Sequence, residues 1–360
     1  MTSAGMLACF RPSAPRRPSG WRAVAWLRMA LMSSLAGALL CGKTSDPASE
    51  PANATVYFRV PPWPDRSREG VGELGVTTPV SWLEAQIALA RIGFSGGSID
   101  GVPGAQSRAA LRAFQENEGL EPSGALDEVT RSRLVLIGPA LKEHVLTDDD
   151  FADLQPVGQT WLEKSQQVTL AHATVLERLA ERAHAHPNLL RRLNSGIDWM
   201  RVGPGARVIA PAIGQVEPVT PIAHLHIRLG DRVLQARDVS GRLVVHFPVS
   251  IARDVAKRPV GELRITVVIP NPDYTFNPEV FPESEEARRL GRRLMLSPGP
   301  NNPVGIAWIG LDRPGYGIHG TPQPEQVGRT ESHGCFRLAN WDAATLLRLV
   351  WVGLPVMIEP

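Results

Sequence analysis

Apolar residues at Leu83, Ile87 and Ala90 recur at helical spacing, and Leu111, Phe114 and Leu120 repeat the pattern. The turn-rich stretch "GGSIDGVPG" separates the two runs, and "EPSGALD" precedes a short third helix, so 80–134 reads as a small three-helix unit. The stretch "TVLERLAERAHAHPNLLRRLNSGIDWMRVGPGARVIAP" predicts helix, turn, helix, loop and strand over 174–211. From about Ile222 the period drops to two. "AHLHIRLGDRVLQARDVSGRLVVHFPVS" alternates polar and apolar, with turns at Gly230-Asp231 and Ser240-Gly241, which predicts β-hairpins. "GELRITVVI", "IAWIGL", "YGIHG" and "PVMIEP" read as further strands. Between the first two lies a Pro/Asn-rich insertion, 270–305, with a charged helix inside. A loop of that length is usually functional or disordered, and a lid over a groove is expected. Asn340 is expected to cap the helix "WDAATLLRLV", with Asp342 complementing its positive end.

The start of the chain changes the picture of where the protein works. Arg11, Arg16, Arg17, Arg22 and Arg28 precede the apolar run "MALMSSLAGALL", the layout of a secretory signal segment. The run is too short to span a bilayer, which takes about 20 residues. Cys41 directly after it resembles a lipoprotein cleavage site, although Leu40 stands where a small residue is usual. Ala36-Gly37-Ala38 offers an ordinary cleavage site instead. Export to the periplasm or cell envelope is expected, with a lipid anchor at Cys41 as one form of it. The net charge of +2 leaves no electrostatic footprint for nucleic acid, and 43% hydrophobic with 21% charged residues fits a globular protein. The segments are a signal at 1–41, a linker at 42–76, a helical domain at 77–137, a linker at 138–168, a small α/β module at 169–214, and a mainly β domain at 217–360.

The cysteines are Cys9, Cys41 and Cys335; once the leader is removed, Cys335 has no intramolecular disulfide partner. It stands in "RTESHGCFRLAN". A buried structural cysteine would usually sit in an apolar run. Zinc held by His319, His333 and Cys335 is conceivable but lacks the paired spacing of structural sites. A nucleophile fits best, and a thiol needs a base or positive neighbours to act as one. His333 and His319 are the candidate bases, and the N–H groups of Gly334 and Cys335 could face a developing oxyanion. His184 and His186, two apart at a helix end, read as solvated and not as ligands.

The elements "IGF", "IDGVPG", "AALRAFQENEGL" and "GALD" resemble a peptidoglycan-binding domain, which implies that 80–134 folds alone and anchors the enzyme. "LAERAHAHPNLLRRLN" with "VGPGARVIAP" looks like a lysin motif, a module that binds N-acetylglucosamine chains; a spacer role is the alternative. "IHGT" followed by "SHGCFRLAN", with "SPGPNNPVGIAWIGL" and "PGYGIHGTPQPEQVG", resembles the L,D-transpeptidase catalytic domain. Phe336 departs from that pattern, in which a smaller apolar residue is common. The resemblance implies a sandwich-like β domain with Cys335 as nucleophile and His319 as general base. The Gly320 carbonyl would orient the imidazole, His333 would lie beside the reacting carbonyl, and Gly334 would line the turn. Ser332 and Tyr316 would contact substrate; Arg337 would bind a substrate carboxylate or serve as a structural hub. The implied reaction is acyl transfer through a thioester, from a tetrapeptide stem to an amine, in cell wall biogenesis. Peptidoglycan is the expected partner of a monomer that uses no metal or other cofactor. Water as acceptor would make the enzyme an L,D-carboxypeptidase, and an idle catalytic domain would leave a wall-binding scaffold.

Overall fold

The computed structural model describes residues 75–360 except 215, 217–219, 331 and 333. The signal segment read at 1–41, with Cys41, and nearly all of the linker read at 42–76 lie outside the described residues, as does His333. The described residues all fall within one compact unit.

Helices Trp82–Arg91, Ala105–Asn117 and Glu128–Arg133 form the first module, as the periodicity predicts. Ser81 and Asp127 cap the first and third by accepting from Glu84 N–H at 3.3 Å and Thr130 N–H at 2.8 Å, caps worth about 1 kcal/mol each. Ile87, Leu111 and Phe114 face the core. Two buried glutamines hold the turns. Gln86 donates to Asp100, the Val102 carbonyl and Ser107, and Gln115 donates to Thr130 and accepts from Gly124 N–H. A buried amide is tolerated only when its groups are bonded in this way.

Residues 138–168, expected to be a linker, are built structure. Leu141–Val145 pairs antiparallel with Arg207–Pro211, so the helices Val175–Arg182 and Pro187–Leu193 lie between two paired strands. The strand "LKEHV" is half-exposed along its length and shows no clean alternation, which is why its period is silent. The two upstream modules are not separate bodies. Leu89, Ile99 and Leu111 share one core with Leu146, Leu176 and Leu190, and Ile99 exchanges backbone hydrogen bonds with His184 and His186 at 2.8 and 2.9 Å. Unit 80–134, expected to fold alone, has its core completed by later residues.

The catalytic-type domain is one eight-stranded sheet. Its order is Phe336–Arg337, Gly317–His319, Ala307–Leu311, Gly261–Pro270, Pro355–Glu359, His224–Arg228, Val233–Arg237 and Leu243–Pro248. A sandwich would need two sheets. Here the single sheet curls until its edges meet: Ser250, just past the last strand, and Arg337 on the first exchange N–H···O bonds, both 2.9 Å. Closure satisfies edge groups that an open sheet leaves unpaired. Leu225, Phe247, Ile309, Ile318, Phe336 and Val356 fill the interior. Near that seam the first module joins in, with Ser95 N–H on the His246 carbonyl at 2.8 Å and His246 N–H on the Gly93 carbonyl at 2.9 Å.

The insertion 270–305 is ordered around the strand pair Tyr274–Phe276 and Leu294–Leu296 and the helix Glu285–Leu290. Its small core closes on the upstream segment: Trp161 stacks on Phe276 at 4.4 Å and meets Phe281 at 5.5 Å. Glu286 accepts from Trp161 N–H at 2.7 Å, which caps the helix Trp161–Gln166. Helix Asn340–Leu347 follows the Phe336–Arg337 strand with Ala339 at its N-cap position and no side-chain cap; the Asn340 side chain is occupied elsewhere. Asp342 lies in the first turn of this helix, where it is buried and accepts from Ser95 Oγ at 3.0 Å.

Candidate active site

Register brings the reactive groups together. Gly317–His319 and Phe336–Arg337 run parallel, with Ile318 opposite Phe336 and His319 opposite Arg337. Side chains alternate along a strand. Ile318 and Phe336 therefore enter the core, while His319, Arg337 and, one step earlier, Cys335 share the other face. The large Phe336 is accommodated in that core at 1% exposure. On the neighbouring strand Trp308 lies opposite His319 and stacks on it, with ring centroids 5.7 Å apart and planes at 24°. Gly317 makes room for this ring: a Cβ there would lie 2.7 Å from Trp308.

His319 is 5% exposed, and its Nδ1 lies 2.6 Å from the Gly320 carbonyl. A carbonyl only accepts, so the proton sits on Nδ1 and the lone pair on Nε2. Burial lowers the imidazole to about 3, and the Arg337 charge pushes the same way; the Gly320 hydrogen bond opposes both. The ring is therefore neutral at ordinary pH. Cys335 is half-buried, and its Sγ contacts the Gly315 carbonyl at 3.5 Å. Burial raises the thiol to about 11, against smaller opposing effects from the Gly317 N–H and Arg337. The resting pair is thus a neutral thiol and a neutral imidazole, not an ion pair.

The insertion reaches this face through Tyr274. Its phenol is raised to about 12 by burial and by the nearby Cys335, while Arg337 partly offsets the rise. The half-buried Arg337 guanidinium feels Cys335 and Tyr274 in turn. Ser332, 5% exposed, has its hydroxyl turned into the loop, donating to the Cys335 carbonyl at 2.5 Å and accepting from Gly334 N–H at 3.3 Å. Tyr316 carries the Arg313 guanidinium over its ring at 4.7 Å, beside the Gly315 carbonyl that meets the thiol. Cys335, His319, Gly320 and Arg337 thus converge, Ser332 and Gly334 brace the turn, and Tyr316 flanks it. His184, expected in solvent, is half-buried and stacks on Trp341 at 5.2 Å, with its imidazole lowered to about 3 by burial. His186 accepts from Asn188 N–H at 3.1 Å through Nδ1. Sequence reasoning missed Trp308 and Tyr274. The alternation of "IAWIGL" could have put Trp308 on the face of His319; for Tyr274 no local signal exists.

Residues 223–358 match the family model described as the L,D-transpeptidase catalytic domain, and 79–134 match one described as "Putative peptidoglycan binding domain". The chain is 28% identical over 185 residues to "Putative L,D-transpeptidase YkuD" of Bacillus licheniformis, covering 51% of this chain and 93% of that protein. It is 36% identical over 106 residues to "Putative L,D-transpeptidase YqjB" of Bacillus subtilis, covering 28% of this chain and 51% of that protein. A solved L,D-transpeptidase from Xylanimonas cellulosilytica is 14% identical, with 80% of this chain and 96% of that chain covered at a TM-score of 0.31, too loose an overlap to carry an argument.

Proposed function

We propose that this chain, which carries an L,D-transpeptidase catalytic domain behind a peptidoglycan-binding domain, is an exported enzyme that joins peptidoglycan stem peptides by cysteine-dependent acyl transfer. The observation that carries the reading is the shared face of Cys335 and His319, with the Nδ1 proton held by the Gly320 carbonyl. The free Nε2 lone pair suits a general base, and the buried neutral pair suits attack in which the proton leaves sulfur as the S–C bond forms. Sγ attacks the carbonyl of stem residue three, most simply of a meso-diaminopimelate. D-Alanine leaves with the proton that His319 took, and a thioester remains. An amine from another stem then attacks the thioester, His319 takes its proton, and the thiol is restored. Arg337, on the same face, is suited to a substrate carboxylate. His333 beside the reacting carbonyl is a role carried by the family resemblance.

Work on the wall fits a periplasmic or envelope location, with Cys41 as an optional lipid anchor, and the signal-like leader supports that assignment. Glycan binding by 169–214 rests on its lysin-motif resemblance. Incubation with purified tetrapeptide muropeptides and mass spectrometry tests the reaction. Cross-linked dimer with release of D-alanine is expected. Tripeptide alone would make the enzyme an L,D-carboxypeptidase, and neither product would refute acyl transfer from tetrapeptide stems.

A further inference from the structure

Three consecutive residues after the cysteine turn are each held from upstream of the sheet. Glu181, on helix Val175–Arg182, accepts from Asn340 Nδ2 through both carboxylate oxygens at 3.2 Å. His184 stacks on Trp341, and Ser95 bonds Asp342. Asn340 also reaches the strand of the catalytic-type histidine. It is fully buried, and its Oδ1 accepts from Thr321 N–H at 3.0 Å and Ile306 N–H at 3.4 Å. Thr321 follows Gly320, whose carbonyl holds His319 Nδ1. The fit is tight, since a Cβ on Gly320 would collide with Asn340 Oδ1.

An amide has one donating and one accepting end, and its partners decide which way it faces. Thr321 and Ile306 need the oxygen on their side. Glu181, whose carboxylate oxygens only accept, needs the nitrogen on the other. The Pro300 carbonyl, also 3.2 Å from Nδ2, asks for the same orientation with one neutral bond. Charge-assisted hydrogen bonds are roughly twice as strong as neutral ones, so Glu181 is the stronger of the two locks.

We propose that Glu181 is a positioning residue for His319. By fixing the Asn340 amide it holds the Gly320–Thr321 peptide, and with it the carbonyl that keeps the proton on Nδ1 and the lone pair on Nε2. The upstream module is then part of the catalytic apparatus and not only a tether. This inference rests on reading His319 as the general base.

The test uses full-length protein with Glu181→Ala and Glu181→Gln. Three readouts are needed: kcat and KM on a soluble tetrapeptide, thermal unfolding, and the 15N shifts of the His319 ring. Glu181→Ala should lower kcat about tenfold, the scale on which orienting partners act, with KM nearly unchanged and a mixed-tautomer 15N signature. Glu181→Gln, which still offers an acceptor oxygen, should restore most of kcat and the single Nδ1–H tautomer. A wild-type 15N pattern in Glu181→Ala overturns the proposal, as does a kcat loss that only follows the unfolded fraction. So does Glu181→Gln as impaired as Glu181→Ala. An inactive wild type would sink the transpeptidase reading alone, because the 15N readout needs no substrate.

Discussion

Burial decides the resting chemistry of the two reactive side chains. An imidazole lowered to about 3 is already in its basic form well below pH 6.5. The pH profile of kcat/KM reports the free enzyme's base, so no acid limb near pH 6.5 is expected, and activity should persist to about pH 5. A limb with its midpoint near pH 6.5 would mean that the ring is solvated in solution. Cys335→Ala should abolish turnover and leave the thermal unfolding midpoint nearly unchanged, because the change removes one half-buried sulfur atom whose hydrogen bond to the Gly315 carbonyl is long, at 3.5 Å. His319→Ala should lose a factor on the order of 100 or more in rate. Asp342 gives a stability prediction. Burial raises its carboxyl well above 3.8, with the Ser95 hydrogen bond opposing. Above the unfolded value the unfolded chain has lost this proton while the folded chain keeps it, so its contribution falls as pH rises until the folded carboxyl also ionises. Asp342→Asn has no proton to lose. Its denaturation midpoint should match the wild type near pH 4 and exceed it increasingly toward about pH 8; a constant difference would contradict the buried neutral carboxyl.

At the scale of elements, the insertion expected to form a lid is fastened at a distance from the site. Tyr274 faces the thiol and Arg337, while Phe276 and Phe281 pack on Trp161. Trp161→Ala removes a stacked ring worth about 3 kcal/mol when fully buried, less here because the ring is partly exposed. Hydrogen exchange in 274–296 should accelerate more than in the sheet, and KM should rise more than kcat falls. Uniform acceleration across the chain would mean that the tryptophan supports the whole fold and not the insertion. The helix within the insertion was legible from its charged sequence. Its strands were not, because three-residue strands give no measurable alternation.

At the scale of the molecule, the modules are joined by backbone and core. His246, on the last sheet strand, pairs with Gly93 and Ser95, and Ile99 pairs with His184 and His186. Deleting 75–137 should therefore lower the unfolding midpoint of the remainder and reduce its rate on soluble muropeptides, besides weakening sacculus binding. A deletion variant with full soluble activity and an unchanged midpoint would restore the simple anchor. Calorimetry and a soluble-substrate assay together separate the two outcomes.

The linear chain determined what depends on neighbours a few residues apart. Helical and two-residue periods located the three helices, the hairpins and the long insertion, and "IHGT" with "SHGCFRLAN" carried His319 and Cys335. Tertiary structure decided what depends on chain-distant pairing. Only the Ser250–Arg337 closure makes one curled sheet of the predicted strands. Only folding turns Asn340 from an expected cap into a clamp, Asp342 from an expected helix-end charge into a buried carboxyl, and His184 from an expected solvated residue into a half-buried one. The contacts Glu181–Asn340, Ser95–Asp342 and His184–Trp341 each join residues more than 150 positions apart in the chain. Local propensity carries no term for such contacts, and burial, which sets both proton affinity and hydrogen-bond demand, exists only once they have formed.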